Sequence, residues 1–205
     1  MGLMMKNEKH INAKAQFLLA LVLLSVIATR FLELPYNLNG VGSVFLFWGI
    51  LGFSRNLKLV ALPFLFLAIS DMHFGFYAAM PFVYLGFAAH VLVGMSLKKQ
   101  KTSFLWKGFK TLSQAPKVML ATLIGSILFF VVSNFGVWIT GSVYPKSIFG
   151  LLMCFEAAIP FFRNTLSGNL AFGMVLLMVT AMPWNHWFQS LSSSKEENLS
   201  EFIQS

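Results

Sequence analysis

Long apolar runs with few charges recur along this chain, and they constrain its fold more than any other feature. The first covers residues 15–32 (AQFLLALVLLSVIATRFL). Others follow at 41–53, 59–74, 76–97, 118–141 and 166–187. A helix rises about 1.5 Å per residue, so roughly 20 residues cross the hydrocarbon of a bilayer. The chain is 57% hydrophobic and only 11% charged, whereas soluble domains carry about 25% charged residues. With a mean hydropathy of +0.73, it lacks the polar surface that a soluble fold needs. The expectation is one all-α integral membrane domain over residues 15–188. It is a bundle of about six transmembrane helices, flanked by a polar segment at 1–14 and a polar, disordered tail at 189–205.

The basic residues support that reading and give it a direction. The net charge is +8, but it gathers in the segments between apolar runs rather than in a nucleic-acid-binding patch. With the N-terminus in the cytoplasm, Lys6, Lys9, Lys14, Arg55, Lys58, the six lysines of the loop 98–117 and Lys195 fall inside. Arg30, Lys146 and Arg163 fall outside. The loop 98–117 interleaves its lysines with Phe104, Trp106 and Phe109. It reads either as an amphipathic segment on an anionic leaflet or as a plain cytoplasmic loop. Trp184 and Trp187 read as interfacial anchors. The first run lacks a small-x-small cleavage site and reads as a retained helix rather than a signal peptide.

Residues 148–162 are ambiguous. The run is apolar, but Glu156 and Pro160 interrupt it. The charge count is the same whether or not it crosses, so seven spans remain an alternative to six. The interruption favours a short lid or re-entrant helix on the outer side, ahead of the last span.

Polar groups at membrane depth are costly and usually face a cavity or a partner. Here they gather at the outer face. Arg30 and Glu33 end span one, and Asp71 and His73 end span three. Asn134 and Trp138 lie in the outer half of span five. Tyr144 follows span five, and Glu156, Arg163, Asn164 and Asn169 lie around the start of the last span. One reading is structural: Arg30 or Arg163 pairs with Asp71 or Glu156 to lock helix ends. The other is a small-molecule site built from Arg30, Asp71, His73, Asn134, Trp138, Tyr144, Glu156, Arg163 and Asn164, with Tyr84 as a further stacking surface. Five charges at one apolar face exceed what locking two helix ends requires.

Other chemistry has little support. There is no GxSxG, HExxH or P-loop, so the chain does not itself couple ATP to transport. The four histidines show no metal-ligand spacing beyond Asp71 and His73, and no metal or cofactor is expected. The lone Cys154 excludes an internal disulfide and reads as a small apolar filler. His90 recurs with Gly86 and Gly94 every fourth residue, a stripe suited to close helix contact. An intramembrane enzyme using Asp71, His73 and Glu156 as acid–base groups would have no motif behind it. The expectation is therefore a non-enzyme.

The segments SNFGVW (133–138), YPKS (144–147) and AAIPFFRNTLSGN (157–169) resemble a family of bacterial membrane proteins of unknown function in which NFGVW, YP[KR]T and AAIPFFRNTL-GD recur. That family in turn looks like the S components of energy-coupling-factor transporters, the membrane subunits that bind vitamins and other micronutrients. IPFFRN (159–164) stands where several S components carry a basic residue shortly before the last helix. The short, glycine-containing second span and the Asp closing span three also match. The resemblance implies a six-helix bundle of the bacterial inner membrane with a lid on its outer face. It implies a vitamin-like substrate, and a transmembrane coupling subunit and two cytoplasmic ATPases as partners. It carries over to Arg30, Asp71, Asn134, Trp138, Tyr144, Arg163 and Asn164 as pocket or lid residues. The chain departs from the pattern at Asn169, where the family often has Asp. It also departs in span one, where Ala20, Ser25 and Ala28 replace the small residues four apart that dock the coupling subunit. A solitary transporter or channel that works without ATPases is the alternative.

Overall fold

The computed structural model describes residues 21, 24–32, 34–51, 57–98 and 112–182. The N-terminal segment, Glu33, Arg55, the loop residues 99–111, Trp184, Trp187 and the C-terminal tail lie outside the described residues. Among the described residues the chain is helical and contains no strand. Helical residues 24–27 run into a 3-10 turn, Ala28–Phe31. Five α-helices follow: α1 Val41–Leu51, α2 Leu57–Phe74, α3 Met80–Lys98, α4 Ala115–Thr140 and α5 Ile148–Ala181. Three of them, α3, α4 and α5, are long and apolar enough to cross a membrane.

The centre of the bundle is the shortest of these five helices, α1. Val41 to Ile50 are all buried, including Phe45, Phe47 and Trp48. A helix that is apolar all round belongs in a core, because no face of it gains from water. At 11 residues it is about 16 Å long, well short of a full crossing. Its start is set by a polar turn. Asn37 takes the left-handed backbone conformation, φ 63°, which asparagine tolerates. Asn39 Oδ1 accepts the Val41 N–H at 3.2 Å, satisfying one of the donors that a helix N-terminus leaves free.

Two glycines bring α1 and α3 into backbone contact. A Cβ on Gly94 would clash with the Leu46 carbonyl oxygen, and one on Gly49 with that of Val91. The stripe Gly86, His90, Gly94 thus serves the close helix contact expected of it: Gly94 meets α1, and Gly86 meets Phe129 of α4. The main core joins Leu24, Val26 and Ile27 to Val44, Leu46 and Trp48 of α1, with Val118 and Ala121 of α4 and Leu176 and Leu177 of α5. On the opposite side, α4 leaves Leu120, Ile124, Leu128, Val131 and Phe135 exposed. They recur every three or four residues, so one whole helix face is an apolar stripe.

One expectation fails. Ile148–Ala181 is a single helix of 34 residues, so no separate lid or re-entrant helix precedes the last span. Proline removes one N–H but does not have to end a helix that is packed on both sides of it. Phe130 of α4 touches Phe155, one turn before Pro160, at 5.3 Å between ring centroids, and Phe162 just after it at 4.8 Å. The helix starts at Ser147, whose Oγ accepts the Gly150 N–H at 3.2 Å. Asp71 and His73 do fall within the end of α2, as expected.

Candidate functional site

A cavity of about 270 Å³ lies where the 3-10 turn, the loop before α1, and helices α1 to α5 meet. Its polar lining comes from Arg30, Asn37, Asn39, Asp71, Tyr77, Ser133, Asn134, Thr165 and Asn169. Its apolar lining includes Phe87, Phe129, Phe130, Phe161 and Phe162. Apolar walls with a few placed polar groups are the ordinary make-up of a small-molecule pocket.

Charge enters the cavity as a pair. Arg30 Nη1 lies 2.6 Å from Asp71 Oδ1. The same nitrogen donates to the Ser70 hydroxyl, and the guanidinium stands 5.1 Å from the centre of the Phe74 ring. Tyr84 OH donates to Asp71 Oδ2 at 2.8 Å, so both carboxylate oxygens are engaged. The Asp71 side chain is 5% exposed and that of Arg30 21%. The pair is neutral overall, with the cation nearer to water. Tyr77, in the turn between α2 and α3, borders the same region. It is half exposed, and partial burial together with the Asp71 charge raises its phenol above the usual 10.0, while Arg30 opposes the rise. It therefore stands there as a neutral hydroxyl.

The floor is built around Asn169 of α5, which is 1% exposed. Its Oδ1 accepts the Ser43 N–H at 3.2 Å, and its Nδ2 donates to Ser126 Oγ at 3.0 Å. The Ser43 hydroxyl donates to the Asn169 carbonyl. One side chain thus ties α5 to both α1 and α4. In a buried, low-dielectric interior such a satisfied network is rigid. At the mouth, Asn164 Nδ2 donates to the Tyr36 carbonyl at 2.9 Å, holding the loop before α1 against α5.

The residues expected from sequence divide in two. Arg30, Asp71 and Asn134 line the cavity, and Asn164 fastens the loop at its edge. His73, Trp138, Tyr144, Glu156 and Arg163 do not line it. His73 packs its ring against Phe31 and Phe74, at 5.3 and 5.1 Å. Trp138 Nε1 donates to the Pro145 carbonyl at 2.9 Å. Lys146 stands over the Trp138 ring at 5.7 Å and donates to the carbonyls of Trp138 and Gly141. This group closes the C-terminal end of α4, where a cation meets the negative end of the helix. Glu156 and Arg163 are exposed on α5. Among the described residues, no group of three or more His, Cys, Asp or Glu is placed to hold a metal ion.

Asn37, Asn39, Tyr77, Ser133 and Thr165 were not expected as site residues, and Asn169 was counted among the outer polar groups but not chosen for the site. They are neutral, and a neutral side chain in an apolar run can satisfy itself on its own helix. Ser133 does so, donating to the Phe129 carbonyl at 2.7 Å, and so does Asn134, to the Phe130 carbonyl at 2.8 Å. Asn169 had a signal that could have found it: an amide side chain inside an apolar span needs more partners than its own helix supplies.

Residues 9–191 match the model of a family of unknown function, DUF6580, and the chain belongs to that family. No curated protein and no solved structure matches it.

Proposed function

We propose that this chain is a multi-pass protein of the bacterial inner membrane that binds a small molecule in the cavity from the outer face. In this reading it is the substrate-binding subunit of a micronutrient importer, similar to an S component. The observation that carries the proposal is the cavity itself. It holds a neutralised ion pair at one end, amides and hydroxyls around its wall, and five phenylalanine rings. A purely structural ion pair needs no such chamber beside it.

Membrane insertion rests on the exposed apolar stripe of α4 and on the length of α3, α4 and α5. The 34 residues of α5 span about 51 Å, more than the roughly 30 Å of hydrocarbon, so α5 crosses once with length to spare. Glu156 and Arg163 stand exposed on this apolar helix. Exposed charges of this kind find counter-groups on a protein partner, which suits a coupling subunit that works with cytoplasmic ATPases. Co-purification with such a subunit distinguishes this reading from that of a solitary transporter.

The binding step is tested by a thermal-shift screen of the purified protein against water-soluble small molecules. At least one compound raises the melting temperature of the wild type but not that of Ser133→Phe, whose added ring fills the cavity. A screen in which nothing raises it, or in which Ser133→Phe responds equally, defeats the proposal.

A further inference from the structure

The polar lining of the cavity sorts into donors and acceptors according to the part of the chain that supplies it. Donors come from residues 30–77, where Arg30, Asn39 and Tyr77 line the cavity. Arg30 Nη1 serves Asp71 and Ser70. A guanidinium is a fork of N–H groups with no acceptor, and among the described residues those on Arg30 Nε and Nη2 have no partner. Asp71 offers the cavity nothing in return, because both of its oxygens are engaged and its side chain is 5% exposed. Asn39 has spent its oxygen on the Val41 N–H, which leaves its amide NH2 to donate. Tyr77 adds a neutral hydroxyl.

Acceptors come from α4 and α5. Ser133 and Thr165 donate their hydroxyl hydrogens to the carbonyls of Phe129 and Phe161, at 2.7 and 3.0 Å. A hydroxyl bonded in this way has only its lone pairs left to offer. Asn134 holds the Phe130 carbonyl through Nδ2 at 2.8 Å, and its Oδ1 is left to accept. All three side chains line the same cavity, so this wall presents oxygen lone pairs.

We propose that the cavity takes a zwitterion built on a single ring, with its carboxylate on the free N–H groups of Arg30 and its ammonium on the oxygens of Ser133, Asn134 and Thr165. The inference rests on the reading of the cavity as a ligand site and names the class of ligand. Charge balance supports it. The Arg30–Asp71 pair is neutral, so a ligand with a net charge would carry that charge uncompensated into a largely apolar chamber, which is costly. A dipolar ligand is neutral overall and meets both walls. A guanidinium fork matches a carboxylate, and the phenylalanine rings of the lining add faces for a flat body and for a cation. At about 270 Å³ the chamber lies at the small end of ligand pockets, which run from about 300 to 1,000 Å³, so one ring is what it holds.

The test is isothermal titration calorimetry of the full-length, detergent-purified protein at neutral pH. The probes are 4-(aminomethyl)benzoate, which carries both ends, 4-methylbenzoate, which lacks the amine, and 4-methylbenzylamine, which lacks the acid. The expected result is saturable binding of 4-(aminomethyl)benzoate, at least tenfold tighter than either single-ended compound and lost in Ser133→Phe. In Ser133→Ala/Asn134→Leu its affinity falls at least tenfold while that of 4-methylbenzoate stays unchanged. Both replaced side chains bond only within their own helix, so this variant keeps the test decisive even where Arg30→Gln, expected to lose the acid and spare the amine, fails to fold. The inference is overturned by no saturation with 4-(aminomethyl)benzoate, by a single-ended compound that binds as tightly, or by an α4 variant that weakens 4-methylbenzoate equally. Its failure is distinct from that of the transport reading. Thermal-shift ligands sensitive to Ser133→Phe alongside a silent 4-(aminomethyl)benzoate sink this inference alone. Saturable binding of that probe by a protein that never co-purifies with a coupling subunit sinks the importer-subunit reading alone.

Discussion

The ion pair at the cavity makes an asymmetric prediction about stability. In Arg30→Met, Asp71 stays 5% exposed and keeps only the Tyr84 hydroxyl as a partner. A carboxylate buried without its cation is the costly half of a broken pair, and losses of about 3–5 kcal/mol are typical. Because Tyr84 still donates to it, the lower end applies, about 3 kcal/mol. In Asp71→Leu, Arg30 starts 21% exposed, keeps Ser70 and the Phe74 face, and its long stem can carry the guanidinium to water. That variant loses about 1–2 kcal/mol. The double variant Arg30→Met/Asp71→Leu leaves no charge stranded and falls within about 1 kcal/mol of the wild type. The assay is equilibrium unfolding in mixed micelles, with the coupling energy taken from the double-mutant cycle. The reasoning is refuted if Arg30→Met is no worse than Asp71→Leu, or if the double variant loses the sum of the two singles.

Other positions make separate predictions. Gly94→Val forces apart the backbone contact between α1 and α3, and it loses at least the 1–3 kcal/mol typical of overpacking, read as lost monodispersity on size-exclusion chromatography. Asn169→Leu strands the Ser43 N–H at the floor and lowers unfolding stability by about 1–3 kcal/mol, measured in the same micelles. Lys146→Met uncaps the end of α4, which is worth about 0.3–1 kcal/mol, yet leaves binding of any thermal-shift ligand unchanged, because Lys146 is outside the cavity. Reporter fusions placed in the turn before α5 and at the C-terminus give signals on opposite sides of the membrane, as a single crossing by α5 requires; signals on the same side would contradict it.

The parts of this fold that could be read from sequence are those where burial forces a choice. Apolar runs set the helices, and α2 to α4 begin and end within a few residues of the expected spans. Arg30 and Asp71 were legible because each is a charge in an apolar run and must find a counter-charge. Pro160 misled, because a helix continues through a proline where packing on either side of it holds the backbone, and here Phe155 and Phe162 both pack on Phe130. Trp138 misled for another reason. An aromatic group in the last turn of a helix closes that helix end as readily as it lines a pocket, and its position does not distinguish the two. The neutral wall of Asn39, Ser133 and Thr165 was not legible, because a hydroxyl or amide that can bond to its own helix gives no sign of also facing a cavity.

The central claim is that the cavity between the 3-10 turn and helices α1 to α5 holds a small molecule. The most direct measurement is mass spectrometry of small molecules released from the freshly extracted, detergent-purified protein, with Ser133→Phe purified in parallel. The account predicts a compound retained in near-stoichiometric amount by the wild type and absent from the filled variant. The same compound at equal level in both, bound elsewhere on the protein, would contradict it.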